Sequence, residues 1–506
     1  MNHDFHYYGT YVAARLAGYD FESAETLAHA AQYVDDSIHV MLDKDCLKGL
    51  VPIPTSHSMS EFTSHDLGKG WTEDFLNETA RVWPVFHFLP GNIDGKEKYM
   101  GPQSDKGLLA NWMYDDEAKE QFKLMCLPNS TLVKEMVNDL RKNSTLQKIG
   151  IRMHVLADTW AHMYFSGVPA RFTNRASDFK NLTAKIKNPI ETPDLLFYNS
   201  YFYLGHATAG NWPDFPYMRY KFRPQWDTEQ RTKDNLVDYM LAIKQLTEAL
   251  TCIRTNKDFK VESYAQLSSE NEAIIKEIFD TQVDDQSSSW KRHIPKIKVA
   301  GMGLKVPADY DANLWLTIAK KADEDKKKST DYYQFNQAAI EHLSFVKNSL
   351  QTKGVYLDNI PQKRIVKCKI KTLDGKYIST VEKKDYAYPT LGDTPVVVEI
   401  VLPVDKLLAG TIVKLRTSES RSSLGDHVYL GAWTSPWLYY YTRDFNLFNQ
   451  KWCIEQEGKK AGSEIDFSKP VMIKNQSYLS KPFMAPIGKR YLTTKSKKYY
   501  FMLELV

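Results

Sequence analysis

The chain has 506 residues, enough for two or three domains, and 43% of them are hydrophobic, enough for a large core. It contains no apolar run of about 18 residues, which argues against a transmembrane helix. Five scattered cysteines without a CxxC pair argue against a disulfide framework and a thiolate metal site.

Charge and histidine are distributed unevenly. The net charge is +4, but residues 353–506 hold 25 Lys and Arg against 15 Asp and Glu, so that residues 1–352 carry a net charge of −6. Ten of the 13 histidines lie between His3 and His206. This asymmetry predicts an acidic body rich in metal-ligand residues, joined to a basic module.

The first 352 residues have mainly the apolar spacing of helices. A helix pair is predicted over 9–34, with a break at Gly18. Further helices are predicted at 116–125, 131–142, 145–164, 228–254, 268–280, 307–325 and 330–352. We therefore predict an all-α domain over residues 1–352.

After Gly354 the pattern changes to alternating and β-branched segments. Strands are predicted at 364–371, 395–401, 411–415 and 499–505. We predict an all-β domain over 354–506, and hence an α + β multidomain protein. A weak internal repeat favours three units of roughly 45–50 residues, as in a β-trefoil. The first unit matches poorly, which leaves a C2-like sandwich as the alternative.

One stretch carries the strongest chemical signal. His154, Asp158 and His162 recur every fourth residue, a spacing that places their side chains along one face of a helix. Imidazole and carboxylate are ligands that zinc prefers. Trp160 and its apolar neighbours indicate that this helix is buried, so the three polar side chains need a partner. The stretch predicts a metal site, although any single histidine could instead be an ordinary core residue.

Short motifs in a fixed order extend this pattern along the chain. They are His6-Tyr-Tyr-Gly, Gln32-Tyr-Val-Asp35 at the end of a predicted helix (with Asp36 as the alternative carboxylate), Phe86-His87-Phe-Leu, the His154 helix, His206 and Pro213-Asp214. Their order resembles the zinc-dependent phospholipase C and P1/S1 nuclease superfamily, and more closely an uncharacterised bacterial branch of it. The resemblance covers about residues 1–220.

The resemblance implies an all-α fold that holds zinc ions in a cleft, two or three of them in this chain. The implied metal ligands are His6, Asp35, His87, His154, Asp158, His162, His206 and Asp214. It also implies a catalytic role for Asp35, which would bridge two metals and accept a proton from the attacking water.

Two spacings depart from the superfamily. His162 follows Asp158 more closely than the superfamily's next histidine does. Gly210 stands where the superfamily has a carboxylate after His206, so we assign that role to Asp214 from a loop.

The start of the chain departs too, because the superfamily uses a processed N-terminal amine as a ligand. This chain begins with Met1 and shows no standard signal peptide, so His3 or Asp4 would compensate. We expect a cytoplasmic protein or an effector exported by a dedicated secretion system. Five aromatic residues are expected to line the cleft: Tyr7, Tyr8, Phe86, Trp160 and Tyr164.

The leading hypothesis is a zinc-dependent phosphodiester hydrolase of the phospholipase C type. Its substrate would be a phospholipid or another phosphodiester, and the added β domain would bind an anionic membrane surface or a glycan, as in a bacterial toxin or effector. One alternative is a P1-like single-strand nuclease, against which the acidic body counts because nucleic acids need cationic partners. The other is a non-enzymatic binding protein with a degenerate metal site.

Overall fold

The chain divides into two compact units, Met1–Ile360 and Pro361–Val506. The sequence had placed this division between residues 352 and 354. The computed structural model describes residues 1–38, 44–48, 50, 52–57, 81–100, 121–142, 144–168, 170–183, 204–355, 357, 364–383, 386–402, 407–417, 428–432, 438–441, 448–478 and 480–506. A helical first unit and an all-β second unit confirm the predicted α + β class at this level.

The first unit is built mainly from helices. Within the described residues they are a π-helical turn at Phe5–Gly9 and α-helices α1 Thr10–Leu16, α2 Phe21–Asp36, α3 Lys44–Leu47, α4 Thr131–Asp139, α5 Leu146–Ala161, α6 Arg171–Asn174, α7 Asn235–Thr255, α8 Ser269–Phe279, α9 Ser287–His293, α10 Leu314–Lys321 and α11 Asp331–Gln351. The predicted helix at 116–125 lies largely outside the described residues. No helix in the described ranges is long and apolar enough to cross a membrane.

Helix α5 is the centre of this unit. It packs against α2, α7 and α11, and every residue from Ile149 to Ala161 is buried. Its N-terminus is capped by Thr145, whose side chain accepts from Lys148 N. Gly150 lets α5 approach α2 closely, because a Cβ there would lie only 2.5 Å from Ala30 Cβ. The two helices that carry the predicted ligands are therefore in direct contact.

The prediction that this unit is all-α is wrong. Three antiparallel strands form a small sheet in the order β1 Ala176–Asn181, β2 Arg219–Pro224 and β3 Arg231–Asp234. A short hairpin follows at β4 Lys298–Val299 and β5 Met302–Gly303. Because residues 231–234 pair with β2, helix α7 begins at Asn235 and not at 228.

The second unit holds twelve described strands in one antiparallel sheet. They are β6 Arg364–Thr372, β7 Tyr377–Lys383, β8 Tyr386–Gly392, β9 Val398–Leu402, β10 Ile412–Thr417, β11 Val428–Ala432, β12 Leu438–Tyr441, β13 Trp452–Gln456, β14 Val471–Asn475, β15 Phe483–Ile487, β16 Tyr491–Lys495 and β17 Phe501–Leu505.

The strand pairings of the second unit close on themselves. Strands β6, β9, β10, β13, β14 and β17 pair in that order, and β17 pairs back with β6. The other six strands form the pairs β7–β8, β11–β12 and β15–β16. Buried side chains such as Ile400, Trp452 and Phe501 fill the core of this unit.

Candidate metal centre

The structure brings all eight predicted ligands into one connected cluster in the first unit. They are His6 in the π-helical turn, Asp35 in the last turn of α2, His87 after the helical residues 81–86, His154 and Asp158 on α5, His162 at its C-terminal end, and His206 and Asp214 beside the 3-10 turns Ala207–Ala209 and Trp212–Asp214. Within it, three groups have ligand atoms within 4.8 Å of one another. They are His6/Asp35/His154, His87/His154/Asp158 and His162/His206/Asp214.

Asp158 is the centre of the cluster and is fully buried. Its Oδ2 lies 3.2 Å from His154 Nε2 and 3.3 Å from His87 Nδ1, and its Oδ1 lies 3.1 Å from His6 Nε2. Asp35 Oδ1 adds a second carboxylate, 3.8 Å from His154 Nε2. At the other end of the cluster, His162 and His206 face Asp214, each with Nε2 3.6 Å from a carboxylate oxygen.

Four of these histidines are held in one orientation by the backbone. In each, one ring nitrogen donates to a carbonyl oxygen and the other faces the cluster. The donor–acceptor pairs are His154 Nδ1 to Ala31 O at 2.8 Å, His87 Nε2 to Thr55 O at 2.8 Å, His162 Nδ1 to His87 O at 2.9 Å, and His206 Nδ1 to Gly210 O at 2.8 Å.

This arrangement gives the cluster an excess of hydrogen-bond acceptors. A carbonyl only accepts, so each anchored nitrogen carries the ring proton and the other nitrogen of a neutral ring presents a lone pair. His154 Nε2 then faces both His87 Nδ1 and Asp158 Oδ2 at 3.2 Å. Acceptors this close need a proton or a cation between them. Two ligands of a tetrahedral zinc ion, with bonds of about 2.0–2.1 Å, lie about 3.3 Å apart, so the spacing fits a metal.

His6 gives a second indication of the same kind. Its ring is fully buried and stacks on the ring of His154, with centroids 3.8 Å apart. Neither of its nitrogens makes a hydrogen bond within the described part of the chain, although Nε2 is close to Asp158. A buried imidazole that makes no hydrogen bond is costly, and its Nε2 lies 3.1 Å from Asp158 Oδ1, so His6 fits the role of a metal ligand.

The pKa shifts follow from burial and from the carboxylates. Burial lowers the pKa of His162 to about 4 and that of His6 well below its usual range. Burial alone would also lower the pKa of His154, but Asp158 and Asp35 outweigh it and raise that pKa. Burial alone would raise the pKa of Asp158, but His162, the N-terminal amine and His154 hold it well below its usual range.

Solvent reaches the cluster at two places. The Asp35 side chain is 31% exposed, and those of His206 and Asp214 are each 17% exposed. The remaining ligand side chains are buried, so a substrate would meet Asp35 or the Asp214 end first.

The start of the chain does not use the residues that we expected. His3 is exposed and packs against Tyr310, while the carboxylate of Asp4 accepts from Phe5 N and Gln286 N. The amino nitrogen of Met1 itself lies in the cluster, 2.7 Å from Asp158 Oδ1. The alternative carboxylate, Asp36, is turned away and accepts from the Tyr310 hydroxyl at 2.6 Å.

The five aromatic residues predicted to line the cleft have other contacts. The contacts are Tyr7 OH to Ala308 O, Tyr8 against Tyr7, Phe86 against His342, Trp160 Nε1 to Gln245 Oε1, and Tyr164 against Trp226. Among the described residues, two aromatic rings that lie close to the ligand histidines are Phe88, stacked on His162 at 4.3 Å, and Trp83, 4.9 Å from His87. Both residues lie near His87 in the sequence, and this proximity was the signal that could have identified them as neighbours of the cluster.

Comparisons with solved structures give weak likenesses. The crystal structure of the lysenin pore and a complex of lysenin with phosphocholine are each 17% identical over 28% of this chain, with TM-scores of 0.22. This chain covers 45% and 44% of those chains, less than half of their length. The S. cerevisiae protein O-mannosyltransferase Pmt1–Pmt2 complex bound to the sugar donor is 11% identical over 90% of this chain and 66% of that chain, with a TM-score of 0.19. These scores establish no shared fold.

No curated protein matches the chain. A family profile described as "Family of unknown function (DUF6765)" matches residues 1–350, which include the whole metal-ligand cluster. The chain therefore belongs to the DUF6765 family of unknown function.

Proposed function

We propose that the chain is a metal-dependent phosphodiester hydrolase of the phospholipase C type, with zinc ions at the cluster. One observation carries the proposal. Four histidines are fixed by backbone carbonyls so that their free nitrogens face the carboxylates of Asp158 and Asp214, an arrangement that a cation stabilises and that core packing does not require. The resemblance of the motif order to the phospholipase C and P1/S1 superfamily is the independent support.

The donor set suits zinc. It combines imidazole nitrogens with carboxylate oxygens and no thiolate, and its three groups would hold two or three ions. When bound, zinc lowers the pKa of a coordinated water from about 15.7 towards 7 and neutralises charge on a phosphodiester.

The chain's own residues divide the remaining tasks. Asp158 and His154 lie inside the cluster and set its geometry and charge. Asp35 is the more exposed of the two carboxylates beside His154, so it can accept a proton from an attacking water. Asp35 is therefore the residue that we propose as catalytic.

The charge of the region that holds the metal-ligand cluster favours a lipid over a nucleic acid. Residues 1–352 carry a net charge of −6, whereas binding to a nucleic acid relies on neutralising several phosphates. A single phosphodiester group can be neutralised by the metal centre alone. A P1-like nuclease remains as an outcome of the test.

We also propose that the second unit is a β-trefoil that binds an anionic membrane surface. Three successive four-strand units each contribute two strands to the six-strand ring and one hairpin, which supports a trefoil over a C2-like sandwich. Residues 353–506 carry a net charge of +10, which favours anionic headgroups. A glycan ligand is the alternative, and binding to neutral glycans without binding to anionic vesicles would favour it.

The test uses the full chain loaded with zinc. We expect about two or three ions per molecule by elemental analysis, release of phosphocholine from phosphatidylcholine vesicles and no cleavage of single-stranded DNA. Asp35→Asn should reduce release by about 100-fold or more, because it removes the proton acceptor. Asp36→Asn is the matched control and should retain activity, since it changes the neighbouring carboxylate that bonds to Tyr310. Less than one ion per molecule would refute the proposal and favour the non-enzymatic alternative, whereas DNA cleavage without lipid hydrolysis would favour the nuclease.

A further inference from the structure

The three ligand groups are held by different kinds of structure. The groups that contain His154 are built largely on helices α2 and α5, which pack directly against each other. The group His162/His206/Asp214, called the loop triad below, takes two of its three ligands from short 3-10 turns: His206 directly precedes one turn and Asp214 ends the next. Loops hold side chains less firmly than packed helices do, so the loop triad needs additional anchors.

Asn174 fixes the segment after α5 that contacts the second histidine-bearing segment of the loop triad. Its side chain is fully buried, its Oδ1 accepts from Ser166 N at 2.6 Å, and its Nδ2 donates to Ser166 O and Val168 O, both at 2.9 Å. Ser166 O also accepts from Gly205 N at 2.9 Å, directly before the second histidine of the triad. The Asn174 side chain thus fixes the segment after α5, and Ser166 O of that segment binds the segment that begins at 204.

Asn235 holds the segment that carries the carboxylate of the loop triad. It is 1% exposed, and its Nδ2 group points at three backbone carbonyls around Asp214. The acceptors are Trp212 O at 2.7 Å, Pro213 O at 3.3 Å and Phe215 O at 2.8 Å. The hydroxyl of Tyr239 adds a bond to Asp214 O at 2.8 Å. Several donors on α7 therefore fix the backbone that carries this ligand.

We infer that Asn174 and Asn235 are positioning residues for the loop triad, and that this triad binds one cation separately from the rest of the cluster. The inference rests on the proposed metal-binding function. Each of the three groups has one carboxylate, but two of the loop triad's three ligands are 17% exposed, whereas the other two groups share the fully buried His154. Its ion is therefore the weakest bound and the first to be lost.

The test counts ions in the full chain after zinc loading and dialysis. We expect three ions per wild-type molecule and two in Asn174→Ala and in Asn235→Ala, with the affinity of the remaining two unchanged. His206→Ala removes a ligand of the triad itself and should give the same count of two. Tyr239→Phe keeps the ring and loses only the hydroxyl, which bonds to Asp214 O and Pro213 O, so it should retain the fold and weaken one of three binding steps by about 10-fold.

The matched control is Asn271→Ala. Asn271 is also buried and bonds to both the backbone nitrogen and the carbonyl of Lys298, but it belongs to α8 and not to the triad. It should keep all three ions despite a similar loss of stability, so ion counts separate positioning from general destabilisation.

Three outcomes would overturn the inference. The first is that both asparagine variants bind three ions with unchanged affinity. The second is that these variants lose all ions together while Tyr239→Phe leaves every zinc affinity unchanged. The third is a wild-type count of two ions per molecule that His206→Ala does not lower. A wild-type chain without bound ions would instead refute the proposed metal-dependent function itself.

Discussion

Replacing Gly150 by alanine tests how closely α2 and α5 must approach to form the metal centre. The added Cβ would lie 2.5 Å from Ala30 Cβ and 2.6 Å from Leu27 O. Ordinary contacts of a Cβ begin at 3.4 Å, so the helices must separate by about 1 Å. The Leu27 contact is with backbone, which cannot rotate away.

The separation has consequences for stability and for the cluster. Overpacking costs about 1–3 kcal/mol, and the upper value applies here because one of the two contacts is rigid. The better helix propensity of alanine offsets about 1 kcal/mol, which leaves a net loss of about 2 kcal/mol. The same movement would lengthen the 2.8 Å bond from His154 to Ala31 O beyond hydrogen-bonding range. Loss of that anchor should lower zinc affinity by about 10–100-fold.

Denaturant unfolding of the metal-free chain and zinc titration with a competing chelator measure the two effects. The double variant Gly150→Ala/Ala30→Gly removes one of the two close contacts and should recover part of each loss. A Gly150→Ala chain that is about 1 kcal/mol more stable than the wild type, with unchanged zinc affinity, would follow helix propensity alone and would refute the packing argument.

Three further predictions concern acid stability, a buried ion pair and chelation. Burial lowers the pKa of His342 to about 3, so the unfolded chain binds a proton below about pH 6.5 that the folded chain does not. Stability should therefore fall as the pH drops from 6.5 towards 3, by about 2 kcal/mol at pH 5 from this residue, and His342→Phe should remove that component of the slope in unfolding titrations. In the second unit, Arg416 Nε bonds to the buried Glu399 at 2.7 Å, so Arg416→Met should cost about 3–5 kcal/mol and the added change Glu399→Gln should recover much of it; an additive double variant would contradict this. Removing zinc with a chelator should lower the melting temperature of the zinc-loaded first unit and leave the transition of the second unit unchanged in calorimetry; equal shifts in both would argue against a metal site confined to the first unit.

Some features of this protein follow from local sequence patterns. The four-residue spacing of His154, Asp158 and His162 belongs to a helix of period 3.6, and the structure has that helix at Leu146–Ala161, with His162 at its end. Alternation after Gly354 likewise reflects the period of strands and predicted the all-β unit. These patterns are local, because side-chain direction within one element depends on the backbone of that element.

Other features depend on contacts between segments that are distant in sequence. Helix α7 starts seven residues later than its apolar pattern predicted, because residues 231–234 pair with β2. The expected aromatic lining was wrong for a related reason: an aromatic residue near a ligand in sequence can face either the site or the core, and packing decides which. The choice between trefoil and sandwich also depends on strand pairing, which a faint repeat does not specify.

The sequence by itself determined the type and order of the candidate ligands, because histidine and aspartate at these spacings are chemically distinctive. Only the tertiary structure decided that the eight lie together and which ring nitrogen of four histidines faces the centre. The orientation of each ring is set by backbone carbonyls such as Ala31 O and Thr55 O. The positions of these carbonyls cannot be read from the types of side chain in the sequence. The physical reason is that every residue carries a carbonyl, and only the packing of α2 against α5 and of the segments around them brings particular ones within 2.8 Å of an imidazole.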